Sequence, residues 1–333
     1  MPDISLKLLK ELKRSDVALC LARVPDSTRL YFGSSDAGVY DVDAMSEKGE
    51  ARKFEGEGHT SYVTGVALAG GQLVSGGYDR RLIWWDTAAG KQLRAQKAHD
   101  RWIRRVLASP DGKLVASVAD DMVARVWEAS TGKLRHELKG HAPMTPHNFD
   151  SMLHTCAFSP DGRLLATGDK AGHIVVWDVA DGKPVKTLEA PGCYTWDPRQ
   201  RIHSIGGIRS LAFSPDGAVL AVGGMGKVEN IDHLGGKARL ELFDWQKGES
   251  LAALESDKYK GVIAHLEFHP QGAWLLGCGG DGKGWALFVD VAARKFTAQE
   301  ALPMHTHQFA LNEKADRIFA AGHQRLGVWD IAT

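Results

Sequence analysis

The chain has 333 residues, and 41 Lys+Arg balance 41 Asp+Glu, so its formal net charge is zero. That balance gives no footing for a general binder of nucleic acid or acidic membrane, which carries a basic excess. With 44% hydrophobic residues it also excludes an intrinsically disordered chain. The length fits two domains or one large β or α/β domain, and Gly (37 residues) and Trp (10 residues) are both conspicuous.

The first segment, Met1–Arg14, has no apolar core and no small-residue cleavage site, so it does not read as a secretory signal. No apolar run approaches the roughly 18 residues of a membrane span. Within this segment Ile4, Leu6 and Leu8 alternate as a half-buried strand requires, ahead of a first inner strand near Val17–Ala22. The spacing of Leu6, Leu9 and Lys13 leaves a short amphipathic helix as the alternative. Cys20, Cys156, Cys193 and Cys278 lie far apart with no CxxC spacing, which fits buried thiols in a reducing cytoplasm better than a zinc site or disulfide framework.

Beyond the first segment the chain repeats itself. Residues 75–86 (SGGYDRRLIWWD), 117–128 (SVADDMVARVWE), 167–178 (TGDKAGHIVVWD) and 320–330 (AAGHQRLGVWD) superpose, and weaker copies end at Asp41, Asp244 and Asp290. That makes seven units. In each, an apolar run meets a tight turn (SPDG at Ser109–Gly112, Ser159–Gly162 and Ser214–Gly217, and HPQG at His269–Gly272). There Pro presets φ for the turn and Gly supplies the positive φ that follows. A second run, a polar turn, a third run ending in Trp-Asp and a more polar fourth run such as Leu134–Leu138 complete the unit. Four short strands with turns every 8–12 residues predict antiparallel β structure.

These units, with Gly58-His59 and Gly140-His141 and the variant Ala98-His99, resemble the WD-repeat β-propellers along essentially the whole chain. The mean spacing is about 48 residues, against roughly 40–45 for that family. The resemblance implies one seven-bladed propeller over residues 1–333, of four-stranded blades. The first 14 residues would close blade seven as its outer strand. It also implies a buried tetrad in each well-formed blade: His59, Ser75, Asp79 and Trp85 in the second unit, and His99, Ser117, Asp121 and Trp127 in the third. The fourth keeps His141, Thr167 and Trp177 but has Ala171 where the Asp is expected. The physical need is an acceptor for each buried indole N–H, so these residues read as architecture. The compact, Ala/Gly-rich turns suggest a bacterial source.

The excess spacing falls in three insertions. Compared with the compact second and third units, residues 142–153 carry about eight extra, 190–207 about thirteen and 225–239 about eleven. Strand alternation puts all three on one face, around blades four and five. Function on scaffolds is usually carried by such loops. By resemblance, three positions per blade point to that face: Tyr62, Thr64 and Tyr78; Trp102, Arg104 and Asp120; Met152, His154 and Lys170; with Arg209, His305 and His307 from later blades. Aromatic residues and Arg are favoured interface anchors, and Trp196, in the longest insertion, has no repeat role.

No P-loop, GxSxG, HExxH or kinase signature occurs, and the Gly279–Gly282 turn lacks the helix or acidic ligands of a phosphate or calcium loop. The reading is therefore a non-catalytic, monomeric, cytoplasmic scaffold. It binds a protein or peptide through the top face and insertions of blades two to five, without cofactor, nucleic acid or membrane. The alternative is an enzyme or metal protein at the channel mouth, for which His154, His305 and His307 are the candidate ligands. A nucleic-acid site at Arg101, Arg104 and Arg105 is a third possibility.

Overall fold

A computed structural model describes residues 4–199 and 202–332. The outermost parts of the 1–14 segment (residues 1–3) and two residues of the 190–207 insertion (200 and 201) lie outside the described residues.

Local chemistry builds the same hairpins repeatedly. At Ser109–Gly112 the Asp111 carboxylate accepts from Ser109 Oγ and from the Lys113 N–H, while Leu114 N–H donates to Ser109 Oγ. Gly112 then takes φ of 68°, and Gly162 in the sister turn takes 72°, which a side chain adopts only under strain. The second and third strands between such turns are near-continuous apolar runs because both of their faces are covered. Leu82 to Trp85, for example, are all at most 1% exposed, whereas the fourth strand Lys91–Lys97 alternates in and out.

The result is a ring of antiparallel sheets. Five are four-stranded: strands within 63–97, 103–139, 153–189, 210–260 and 262–302. The sixth has six strands, in the order Thr306–Leu311, Arg317–Ala332, Ser5–Arg23, Arg29–Ser34, Val39–Asp43 and Arg52–Lys53. The β-propeller of four-stranded blades is therefore present, but with six sheets where seven separate ones are expected. The cause lies in two long strands. Ser5–Arg23 pairs through Ser5–Lys13 with Arg325–Ala332, and through Ala18–Arg23 with Leu30–Ser34. It thus ties the last and first repeat units into one sheet. The N-terminal segment is a strand and not a helix: Leu6 packs on the cluster containing Trp329 and Ile331, and Leu9 and Leu12 pack on the one containing Leu326 and Val328.

Apolar clusters cement neighbouring sheets. Val74, Leu82 and Trp84 pack on Ile103, Val106 and Trp127, and Ala116, Val118 and Val126 pack on Leu153, Cys156 and Trp177. Of the tryptophans outside the repeat position, Trp84, Trp245, Trp274 and Trp285 are buried in these seams, and Trp84 Nε1 donates to the Ala129 carbonyl at 2.9 Å. All four cysteines are buried and free. Among the described residues no helix is long and apolar enough to cross a membrane.

Candidate interaction surface

Each tetrad is a relay of hydrogen bonds from the sheet interior to a turn. Trp85 Nε1 donates to Ser75 Oγ (2.8 Å), which lies 2.7 Å from His59 Nε2, and His59 Nδ1 meets Asp79 at 2.9 Å. The third unit repeats this with Trp127, Ser117, His99 and Asp121 at 2.9, 2.8 and 3.0 Å. Although burial alone raises carboxyl pKa values, the bonds from His59 and His99 hold Asp79 and Asp121 below the usual range. The fourth unit corrects the sequence reading. Its tetrad is complete, because Asp169 supplies the carboxylate in place of Ala171, 2.8 Å from His141 Nδ1. Thr167 Oγ1 takes Trp177 Nε1 at 2.9 Å. Asp169 sits two residues earlier than its counterparts, at the end of the strand Leu164–Asp169.

On the tetrad side of the ring one backbone bond recurs. Tyr78 N–H donates to the Tyr62 carbonyl, Asp120 to Trp102, Lys170 to Met152 and His323 to His305, all at 2.9–3.0 Å. This pins the entry of each inner strand to the end of the second strand and aligns equivalent positions around the mouth. His323 is thereby the counterpart of Tyr78, Asp120 and Lys170, an equivalence the sequence reading did not assign. It stacks on His305 with ring centroids 5.0 Å apart, and the turn position it shares with Tyr78 is the signal that marks it.

The candidate residues divide into two groups. Tyr62 and Trp102 are exposed (48% and 49%), and with Tyr78 they form a stack: Tyr62 to Tyr78 at 5.6 Å, and Tyr78 to Trp102 at 4.5 Å with planes 7° apart. Arg104 lies against both Tyr78 and Trp102 and donates to the Tyr78 hydroxyl at 2.6 Å. The stack borders a cavity of about 530 Å³ that Asp120, Asp150 and Met152 also line. The second group is sunk in the mouth. Arg104 makes a bidentate pair with Asp120 (2.8 and 2.7 Å), and Lys170 donates to the Asp150 carbonyl. His154 is 6% exposed, and Arg209 Nη1 is 3.4 Å from its Nδ1. These residues line a hole and shape its floor; they are not free-standing surface anchors. Arg101, Arg104 and Arg105 do not form one basic patch, because Arg101 alone is exposed while Arg104 and Arg105 line the channel mouth.

The three insertions meet. His147 stacks on Trp196 at 3.7 Å, Tyr194 Oη donates to Thr145 Oγ1, and Val228 N–H donates to Thr195 Oγ1. Met225, Val228 and Val262 form a small core with Ile205 and Leu234. Tyr194–Asp197 pairs with His203–Gly206 as a two-stranded ribbon, and Trp196 remains 39% exposed on it. Among the described residues no three His, Cys, Asp or Glu side chains converge in metal-holding geometry.

Residues 51–86, 90–128, 132–178 and 196–228 match the family described as WD domain, G-beta repeat. These four segments are WD repeats. It is 27% identical over 321 residues to telomerase protein component 1 of Mus musculus, covering 95% of this chain and 11% of that protein. It is 30% identical over 210 residues to nuclear distribution protein PAC1 of Arthroderma benhamiae (56% of this chain, 42% of that one). It is 31% identical over 157 residues to apoptotic protease-activating factor 1 of Rattus norvegicus (47% and 12%). The chain thus spans less than half the length of each of these relatives. They are eukaryotic proteins and lend no support to a bacterial source. In the ring described above, the tetrads brace the face and the inner-strand entries decorate it. The Ser–His–Asp relays of the tetrads are buried, with Ser75 and Ser117 Oγ each accepting from an indole N–H, and what the mouth and its rim offer is stacking, apolar contact and hydrogen-bond donation.

Proposed function

We propose that this WD-repeat chain is a non-catalytic scaffold that binds a protein or peptide on its tetrad-side face, across units two to five. The observation that carries this is the exposed aromatic stack Tyr62–Tyr78–Trp102 beside the Met152 cavity. Interface cores are enriched in Tyr, Trp, Met and Arg, and rigid rings already stacked lose little freedom on binding. A second anchor, Trp196 on the ribbon, is held by His147 and widens the same face. Tyr62, Tyr78, Trp102, Met152 and Trp196 are the contact residues in this reading; Arg104, Asp120, His154, Lys170 and Arg209 form the floor beneath them.

The six-stranded sheet counts as two blades in this reading, giving one seven-unit ring from residues 1 to 333. Two facts support it. Ser5–Arg23 changes partner half-way along. A core cluster also sits between its two halves, with Leu21, Leu30 and Phe32 against Phe319, Leu326 and Val328. The chain acts as a monomer in the cytoplasm in this reading, and its four buried free thiols fit a reducing compartment.

The test is affinity capture with wild type and with a Tyr62→Ala/Trp102→Ala variant. Both side chains are half exposed, so the melting temperature should stay within about 2 °C while captured partners are lost. Identical partner sets for the two proteins would refute the assignment of this surface.

A further inference from the structure

The mouth of the central channel opens into a cavity of about 290 Å³ lined by three arginines and three histidines, and no carboxylate is among its lining residues. Arg104 is neutralised by its bidentate pair with Asp120. The other two cations are not. The side chain of Arg105 makes no hydrogen bond or ion pair among the described residues, and its Nε is buried without a partner. Among the described residues Arg209 Nε is buried without a partner as well, and the one side-chain bond of Arg209 goes to a histidine at 3.4 Å. His154 Nε2 and His307 Nε2 are likewise buried and unpartnered.

Buried guanidinium groups are ordinarily paired, since an unpaired charge loses its hydration and gains nothing in return. Burial, and then the nearby Arg104, drive the Arg209 pKa down to about 10, and Tyr78 and Asp120 only partly offset them. Burial also keeps His154 and His307 neutral, so each retains one ring N–H that can donate without adding charge. Guanidinium forks and imidazole N–H groups around one void, with no carboxylate in its lining, make a donor set for an oxyanion. The size limits the guest. The void falls just below the range of about 300–1,000 Å³ that holds drug-sized ligands, so it suits one anionic group. Leu234, from the 225–239 insertion, forms part of the wall.

We propose that the channel mouth is a binding site for a single oxyanion group, carboxylate or phosphate, held by Arg105 and Arg209 with His154. The site takes that group free in solution or presented by an acidic or phosphorylated side chain, so it stands apart from the partner reading above.

The experiment titrates inorganic phosphate, and separately glutarate, into the full chain at constant ionic strength, by calorimetry and by thermal shift. Saturable binding with a rise in melting temperature is expected for either anion. Arg209→Gln and Arg105→Gln should weaken it about ten- to a hundredfold, as loss of a charge-assisted bond does, and Arg209→Lys should weaken it less. Arg101→Gln, outside the cavity, should bind as wild type. Anion-free Arg209→Gln should melt no lower than wild type, since it relieves an unpaired charge. A folded Arg209→Gln protein also separates loss of binding from loss of structure. A glutamate-containing peptide that displaces phosphate assigns the group to a partner, and phosphate binding untouched by that peptide assigns it to the free ion. No heat and no thermal shift with either anion, or equal affinity in wild type and Arg209→Gln, would overturn the proposal.

Discussion

The sharpest structural prediction concerns Asp169. Its side chain is 3% exposed, and it accepts from His141 Nδ1 (2.8 Å), Ala171 N–H (2.9 Å) and His173 N–H (3.0 Å). Asp169→Ala strands all three donors. Each buried donor left unmade costs about 1–3 kcal/mol. The two backbone N–H groups belong to a turn that water can reach after a small opening, so they contribute at the low end, and the net loss should be about 2–5 kcal/mol. Asp169→Asn should fall between the variant and wild type, because its amide oxygen still serves Ala171 and His173 but the carboxylate at His141 is gone. The assay is urea denaturation followed by tryptophan fluorescence, with Asp161→Ala as control. That residue also orders a turn, through Ser159 Oγ and the Arg163 N–H, but it is exposed. Its loss should cost about 1 kcal/mol or less. If Asp169→Ala shifts the midpoint no more than Asp161→Ala, the tetrad assignment in the fourth unit is wrong.

Other outcomes follow from the same geometry. Burial lifts the Glu267 carboxyl to about 7, only partly offset by the Leu311 N–H and by Arg23. A carboxyl raised in the folded state holds its proton there, so the stability it confers is present below its unfolded value, about 4.3, and is lost as pH climbs toward 7. Glu267→Gln should therefore stabilise the protein by about 1–3 kcal/mol in mildly alkaline buffer and by little in mild acid, as melting scans across pH would report. Asp79 and Asp121 carry the opposite sign. Their folded values are depressed, so their contribution is present above the unfolded value and falls away as pH drops below about 4. Asp121→Asn should accordingly flatten the acid limb of the stability curve. Deleting residues 1–14 removes the strand paired with Arg325–Ala332 and uncovers an edge. The truncated chain should melt markedly lower and less cooperatively, and an unchanged melting curve would contradict the closure.

How legible was this in the sequence? The turns and the first two tetrads were, because they are local grammar: an SPDG turn needs only its own four residues, and Ser75 to Trp85 keep a fixed spacing along one hairpin. In the fourth tetrad, spacing alone points to Ala171 and misses the carboxylate. What His141 needs is a carboxylate within reach of Nδ1. Asp169 provides it from the strand end, with its other oxygen closing the turn onto Ala171 and His173. The sheet count turned on long-range register: counting repeat ends finds units, but only pairing shows that Ser5–Arg23 belongs to two of them.

The candidate site shows the same division between local and closed-ring information. Each inner-strand position was visible singly, yet not which side chains would spend themselves on each other. Arg104 reads as an anchor in isolation. In the ring it is consumed by Asp120 and Tyr78, and what it leaves behind is a rigid platform under Trp102. Arg105 and Arg209 come from different units and meet only when the ring closes, where neither finds a carboxylate. Composition sharpens the point. A chain whose charges cancel overall can still concentrate uncompensated cations, because neutrality constrains the sum and not the placement. In this ring the surplus collects at the axis, where every unit sends an inner strand and no outer strand brings its acidic residues, and the exposed aromatic stack stands beside it.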